Sequence, residues 1–178
     1  MKKVLLVIAH EDFEDAELMA MRETLISCGH RCVIASTNLS FATGMRGTKV
    51  KPDVDLDEAA INVNSYSAVV FLSGKGVSRY VNNPICHAIV KAACKEGKIV
   101  GAICKAPMIL AKAGVLDGVE VTVYTKPMNR QMADEIRMCG ARYIDRDVVV
   151  DKNIVTACGP NACNKFAEKI AELIGSKS

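Results

Sequence analysis

An α/β fold, with a mostly parallel central sheet and helices on both faces, is predicted by three features of the sequence. Strand-length apolar runs alternate with helix-length amphipathic segments from one end of the chain to the other. The runs are apolar at nearly every position, as strands covered on both faces require. Gly or Pro stands at most of the joints between them.

The elements follow in order. Residues 4–9 form the first strand, directly after Met1-Lys2-Lys3. Residues 14–28 read as a helix with Ala16, Met19, Ala20, Leu25 and Ile26 on or near the buried face, and Gly29 as C-cap. Residues 32–36 are a strand, and 37–64 have too little periodicity for more than loop with short β pieces. Residues 68–72 are a strand ending in Ser73-Gly74-Lys75-Gly76. A helix over 84–96 starts on Pro in its first turn and stops at Gly97. Residues 99–103 are a strand, 107–113 a helix closed by Gly114, and 119–123, 148–150 and 154–157 further strands. Gly159-Pro160 opens the last helix, 162–174.

At 178 residues and 50% hydrophobic, the chain suits one well-buried core, so a single domain over 1–178 is expected. A net charge of +3, no basic run and only four Phe and four Tyr argue against a nucleic-acid partner. No apolar stretch approaches the about 18 residues of a membrane span, and the start lacks a signal-peptide pattern, so no membrane partner and a cytoplasmic setting are expected. In a reducing cytosol the eight cysteines are not expected to pair. The spacings Cys28–Cys32, Cys86–Cys94 and Cys158–Cys163 do not form paired CxxC units, so no metal is expected. Seven of the cysteines read as small buried apolar side chains.

Cys104 is the exception. It lies between the strand 99–103 and the helix after Lys105, on a sharp turn that thrusts a side chain out at the end of a sheet. Helix amides nearby would favour its thiolate. Ligands of parallel sheets bind beyond the carboxyl ends of the strands. That rule gathers His10 and Glu11, the Gly74–Gly76 turn, Cys104 and the stretch 124–129 at one edge. Glu14 and Glu17 open the first helix there. They either complement its dipole or, if one is protonated through burial, donate a hydrogen bond to the thiol. Gly74-Lys75-Gly76 is either a simple tight turn or, through the Lys75 N–H and with the Lys105 N–H, an oxyanion hole. Neither GxGxxG nor GxxxxGK[ST] occurs, and no cofactor is expected. His10 is either a general base or a polar loop residue. His30 reads as solvated, and His87 as a surface or packing residue.

Four blocks, Asp12–Leu18, Val69–Gly76, Gly101–Pro107 and Val155–Pro160, together resemble the ThiJ/PfpI family of intracellular peptidases and Parkinson-disease protein deglycases. The resemblance spans nearly the whole chain. It implies a flavodoxin-like three-layer sandwich, a nucleophile elbow at Cys104, a protonated Glu17 beside it and Glu14 in a supporting network. It implies that Arg46 can pair with such a Glu around a dimer interface, and that the chain forms a homo-oligomer, most simply a dimer. The implied substrate is a small reactive carbonyl, handled in glyoxalase or deglycase fashion. A peroxide-responsive redox sensor or chaperone-like dimer, and an intracellular peptidase, are the alternatives. The sequence departs from the family at two positions. Lys105 stands where peptidase-like members have His, and Lys126 where the deglycase-like branch has His before Pro. No Cys-His-Glu triad is therefore carried over, and both lysines are either solvated or placed to favour a thiolate.

Overall fold

The apolar runs pair with one another because buried backbone N–H and C=O groups must find partners. A computed structural model describes residues 1–177. The chain begins β1 (Lys3–Val7), β2 (Glu11–Phe13), α1 (Asp15–Ser27), β3 (Arg31–Ser36), β4 (Ala42–Gly44) and β5 (Lys49–Val50). It continues β6 (Val54–Asp55), α2 (Leu56–Ile61), β7 (Ala68–Phe71), α3 (Pro84–Lys95), β8 (Ile99–Ile103) and α4 (Pro107–Lys112). It ends β9 (Glu120–Val121), α5 (Gln131–Met138), β10 (Arg142–Tyr143), β11 (Val148–Asp151), β12 (Ile154–Ala157) and α6 (Cys163–Ser176).

The central sheet has the order β11-β12-β8-β7-β1-β3-β6 and is parallel except for the edge strand β11. This is the three-layer flavodoxin-like arrangement expected. Alternation along β1 divides the core. Leu5 and Val7 pack on one face with Ile89 and Val90 of α3 and with Ile109 and Leu110 of α4. Val4 and Leu6 pack on the other face with Leu18, Met21 and Leu25 of α1 and with Phe166 and Ile170 of α6. The chain runs from β1 outward to β3 and then crosses back to β7, so the strand order reverses beside β1. The carboxyl ends of β1, β7 and β8 therefore open on one crevice.

Several expectations need correction. The buried face of α1 carries Asp15, Glu17, Leu18, Met21 and Leu25, whereas Met19 and Ile26 are exposed. Residues 119–123 do not join the central sheet. Only β9 is extended there, and it pairs with β10 in a separate two-stranded sheet. The stretch 37–64 does hold short strands, two of which complete a small sheet in the order β2-β4-β5, but it also contains α2. Of the seven cysteines expected to be buried, Cys86 and Cys163 are. Cys32, Cys94, Cys139 and Cys158 are half-buried, and Cys28 is exposed because it caps the solvent end of α1. His30 is half-buried, with Nδ1 lacking a partner among the described residues. No helix among the described residues is long and apolar enough to cross a membrane.

Candidate active site

β8 ends in a turn whose pivot is Cys104, at φ 62°. A non-glycine residue adopts this left-handed conformation only when its surroundings hold it there. Here the Cys104 N–H donates to the Ala157 carbonyl at 2.9 Å, and its carbonyl accepts the Tyr124 N–H at 2.8 Å. With both backbone groups tied down, the side chain is left facing the crevice, 7% exposed. The expected elbow is present.

The opposite wall is built around Ser73, the residue that sequence reasoning missed. Ser73 is wholly buried, and three of its groups are engaged. Its N–H donates to Glu17 Oε2 at 2.7 Å, its carbonyl accepts the Glu14 N–H at 2.8 Å, and its Oγ accepts the Lys105 N–H at 3.3 Å. The hydroxyl also opposes the rise in the Cys104 thiol's pKa. The start of α1 thus docks on the Ser73 peptide much as one strand docks on another. A serine at the end of an apolar run carries no signal of such a role. The two glycines after it make the approach possible. A Cβ on Gly74, whose φ is 120°, would lie 2.2 Å from the Asp12 carbonyl oxygen, and one on Gly76 would lie 1.9 Å from that of Glu11.

Glu14 is the N-cap of α1, and Glu17 sits within the first turn, fully buried. In a capping box the acid at this position reaches back to the cap N–H. Glu17 instead turns to Ser73, and its Oε1 has no partner among the described residues. Burial pushes the Glu17 carboxyl up to about 8. The Ser73 N–H opposes that rise and the charge of Glu14 adds to it. Burial likewise pushes the Cys104 thiol up to about 12, and the Glu17 charge adds to this. The Ser73 hydroxyl, the Lys105 ammonium and the Lys105 N–H pull the other way. The thiolate expected from neighbouring helix amides is therefore not favoured by the surroundings as they stand. α4 has only six residues and begins with a proline, which has no N–H to offer. A proton on Glu17 removes that residue's opposition to the thiolate.

A cleft of about 230 Å³ brings together Cys104, Glu14, Glu17, Gly74, Lys75 and Lys105 from the expected set, and adds Ser73, Met45, Tyr124 and Pro160. The Lys75 N–H points at the Met45 thioether at 3.4 Å, a weak acceptor that a stronger one can displace. Four expected residues do not line the cleft. His10 is bound through Nε2 to the Ser40 carbonyl and hydroxyl, at 3.1 and 3.0 Å. Arg46 is exposed and in no ion pair among the described residues; only its backbone N–H is engaged, by Asp15. That leaves Asp15, buried and also accepting the Thr48 N–H at 3.1 Å, as the residue that fixes the loop after β4. Gly76 is pressed against β2. Lys126 is exposed on a hairpin closed by reciprocal 3.0 Å hydrogen bonds with Asn129. Among the described residues no histidine reaches the cleft: His87 Nε2 donates to the Val81 carbonyl at 2.7 Å, just before α3. Cys158 faces Asp147, with its N–H on the Asp147 carbonyl, and lies outside the cleft. Tyr124, the first residue of the stretch 124–129 expected at this edge, has the Lys105 ammonium 5.7 Å from its ring centroid.

The model of the DJ-1/PfpI family matches residues 2–173. The chain is 34% identical to the deglycase PfpI of Pyrococcus furiosus over 172 residues, which cover 97% of this chain and 99% of that protein. It is 25% identical to a glutathione-independent glyoxalase of Caenorhabditis elegans over 173 residues, covering 97% of this chain and 89% of the other. The crystal structure of a ThiJ/PfpI domain protein from Brachyspira murdochii superposes with a TM-score of 0.92 at 27% identity, covering 99% of this chain and 98% of that one. With the elbow, the buried glutamate and the matching sheet already in place, these likenesses establish that the chain belongs to the DJ-1/PfpI family.

Proposed function

We propose that the chain is a cysteine-dependent enzyme acting on small reactive carbonyls, with Cys104 as nucleophile and Glu17 as the group that moves protons. The observation that carries this reading is the fully buried Glu17 carboxyl, its Oε1 unpartnered, in the same cleft as the Cys104 thiol. A carboxyl shifted to about 8 gives and takes protons near neutral pH, which an ordinary carboxylate does poorly. The cleft, at about 230 Å³, lies below the range of drug-sized pockets and suits a molecule of a few heavy atoms.

For methylglyoxal the steps balance without an outside oxidant. The Cys104 S–H adds across the aldehyde: sulfur bonds to carbon, and the proton ends on oxygen, giving a hemithioacetal. On this reading the Lys75 and Lys105 N–H groups exchange the Met45 thioether and the Ser73 hydroxyl for the developing charge on that oxygen. Glu17, entering this step as the carboxylate, takes the proton from the former aldehyde carbon and returns it to the ketone carbon, while the hydroxyl proton of the hemithioacetal passes to the ketone oxygen. The first carbon is thereby oxidised to a thioester and the second reduced to an alcohol. Water cleaves the thioester, releasing lactate and restoring the thiol. Removal of early glycation adducts would use the same thiol on a hemiacetal-like carbon.

Two of the relatives, a deglycase and a glutathione-independent glyoxalase, support this class. The peptidase alternative lacks an imidazole in the cleft among the described residues. The chain is read as a homodimer, since Met19 and Ile26 expose apolar surface on α1, Phe41 is exposed as well, and Arg46 is in no ion pair among the described residues. A cytoplasmic setting goes with the eight free cysteines. The decisive experiment is lactate formation from methylglyoxal at high enzyme concentration. Activity in the parent and none in Cys104→Ala supports the reading; a parent that forms no lactate ends its glyoxalase form.

A further inference from the structure

The Cys104 cleft does not stand alone. A second cleft of about 240 Å³ adjoins it, and Lys105 and Tyr124 line both. Lys126 lines the second cleft only, carried there by its closed hairpin. Among the described residues neither lysine is in an ion pair. The one carboxylate on the lining, Glu135, accepts a 2.9 Å hydrogen bond from the Gln131 amide. Two ammonium groups thus share one concave surface with a single carboxylate that is already engaged. Such a surface attracts anions, and it shares Lys105 and Tyr124 with the cleft that holds the thiol.

We propose that the carbonyl substrate carries an anionic group, a carboxylate or a phosphate ester, that seats between Lys105 and Lys126 while its aldehyde meets Cys104. This rests on Cys104 being the carbonyl-attacking group, and it names which carbonyls that group receives. Lys105 is the shared element. Held over the Tyr124 ring, it stands at the junction and contacts the anion from the thiol side. Lys126 contacts it from the far side. A neutral aldehyde engages only the first cleft. The covalent step is the addition already described: an S–C bond forms, the C=O π bond becomes C–O–H, and the thiol proton goes to oxygen.

The test is protection of Cys104 from iodoacetamide, read by intact mass and peptide mapping. The probes are glyceraldehyde, glyceraldehyde 3-phosphate and succinic semialdehyde. The expected result is half-protection by the two anionic aldehydes at about a tenfold lower concentration than by glyceraldehyde, as one charge-assisted contact implies. The phosphate and carboxylate arms distinguish the two anion chemistries. In Lys126→Ala the ratio falls toward one, in Lys126→Glu it inverts, and in Lys126→Arg it is retained. Equal protection by charged and neutral aldehydes, or a preference unmoved by Lys126→Glu, overturns the anion site and leaves the carbonyl reading standing. No protection by any aldehyde overturns the carbonyl reading itself, and this inference with it.

Discussion

The two walls of the Cys104 cleft differ in kind. On one side the β7 end and the start of α1 are buried, and Ser73 has its N–H, carbonyl and hydroxyl all engaged. On the other side Lys105, Tyr124 and the Lys126 hairpin are partly or wholly exposed, and their cations have no carboxylate partner among the described residues. The first wall can hold a proton in place and shift its pKa, because water is absent and the donors are fixed. The second can attract and select a substrate, but with solvent around it a lysine there cannot replace a buried acid. On the proposed reading, chemistry therefore belongs to the dry wall and choice of substrate to the wet one.

The sharpest break in this comparison is removal of the thiol itself, since Cys104→Ala is expected to leave no lactate formation. Next comes Glu17→Gln, which keeps the shape and the contact with the Ser73 N–H but cannot accept a proton. A loss of about 10²-fold or more in kcat is expected, as for general acid–base groups, measured by steady-state kinetics on methylglyoxal. The same variant has a signature in stability. Folding raises the Glu17 pKa from 4.5 to about 8, so the native state keeps a proton that the unfolded state gives up. The contribution is fully present below 4.5 and is lost as pH rises through about 8. Between those values stability should fall by roughly 1.4 kcal/mol per pH unit from this residue. Urea unfolding across that range should show the slope in the parent and not in Glu17→Gln.

Ser73→Ala tests the wall more gently. It removes the acceptor of the Lys105 N–H and the hydroxyl beside the thiol, but keeps the backbone contacts to Glu14 and Glu17. The expected cost is about 1–2 kcal/mol in stability and about tenfold in kcat. The smallest effects belong to the wet wall, where lysine substitutions should alter the ratio between charged and neutral carbonyls more than the rate of either.

The dry and wet walls were not equally legible in the sequence. Strands β1, β7, β8 and β12 could be read because continuous apolar runs have no other use in a parallel sheet. Cys104 could be read because the turn between a buried strand and a helix has few meanings. The face of α1 could not, since the site inverts the usual pattern: Asp15 and Glu17 are buried where the chain binds them, and Met19 and Ile26 are exposed. α2 and α5 are only six and eight residues long, too short for a periodicity to emerge. Residues 119–123 read as a strand by composition, yet the Thr122 N–H goes to the Thr156 hydroxyl and the Tyr124 N–H to the Cys104 carbonyl. The segment therefore crosses the sheet instead of extending it. Ser73 stayed hidden because its role lies in which groups of the chain face it, and that depends on the close approach its glycines allow.

The central claim is that Glu17 keeps its proton to near pH 8 beside Cys104. Carboxyl-¹³C glutamate labelling, with Glu17→Gln to assign the resonance, tests it most directly by NMR across pH 3 to 10. The expected result is one carboxyl signal, absent from the variant, that titrates near 8. Titration of that signal in the ordinary glutamate range, at about 4.3, would contradict the claim and leave Cys104 without its proton-moving partner.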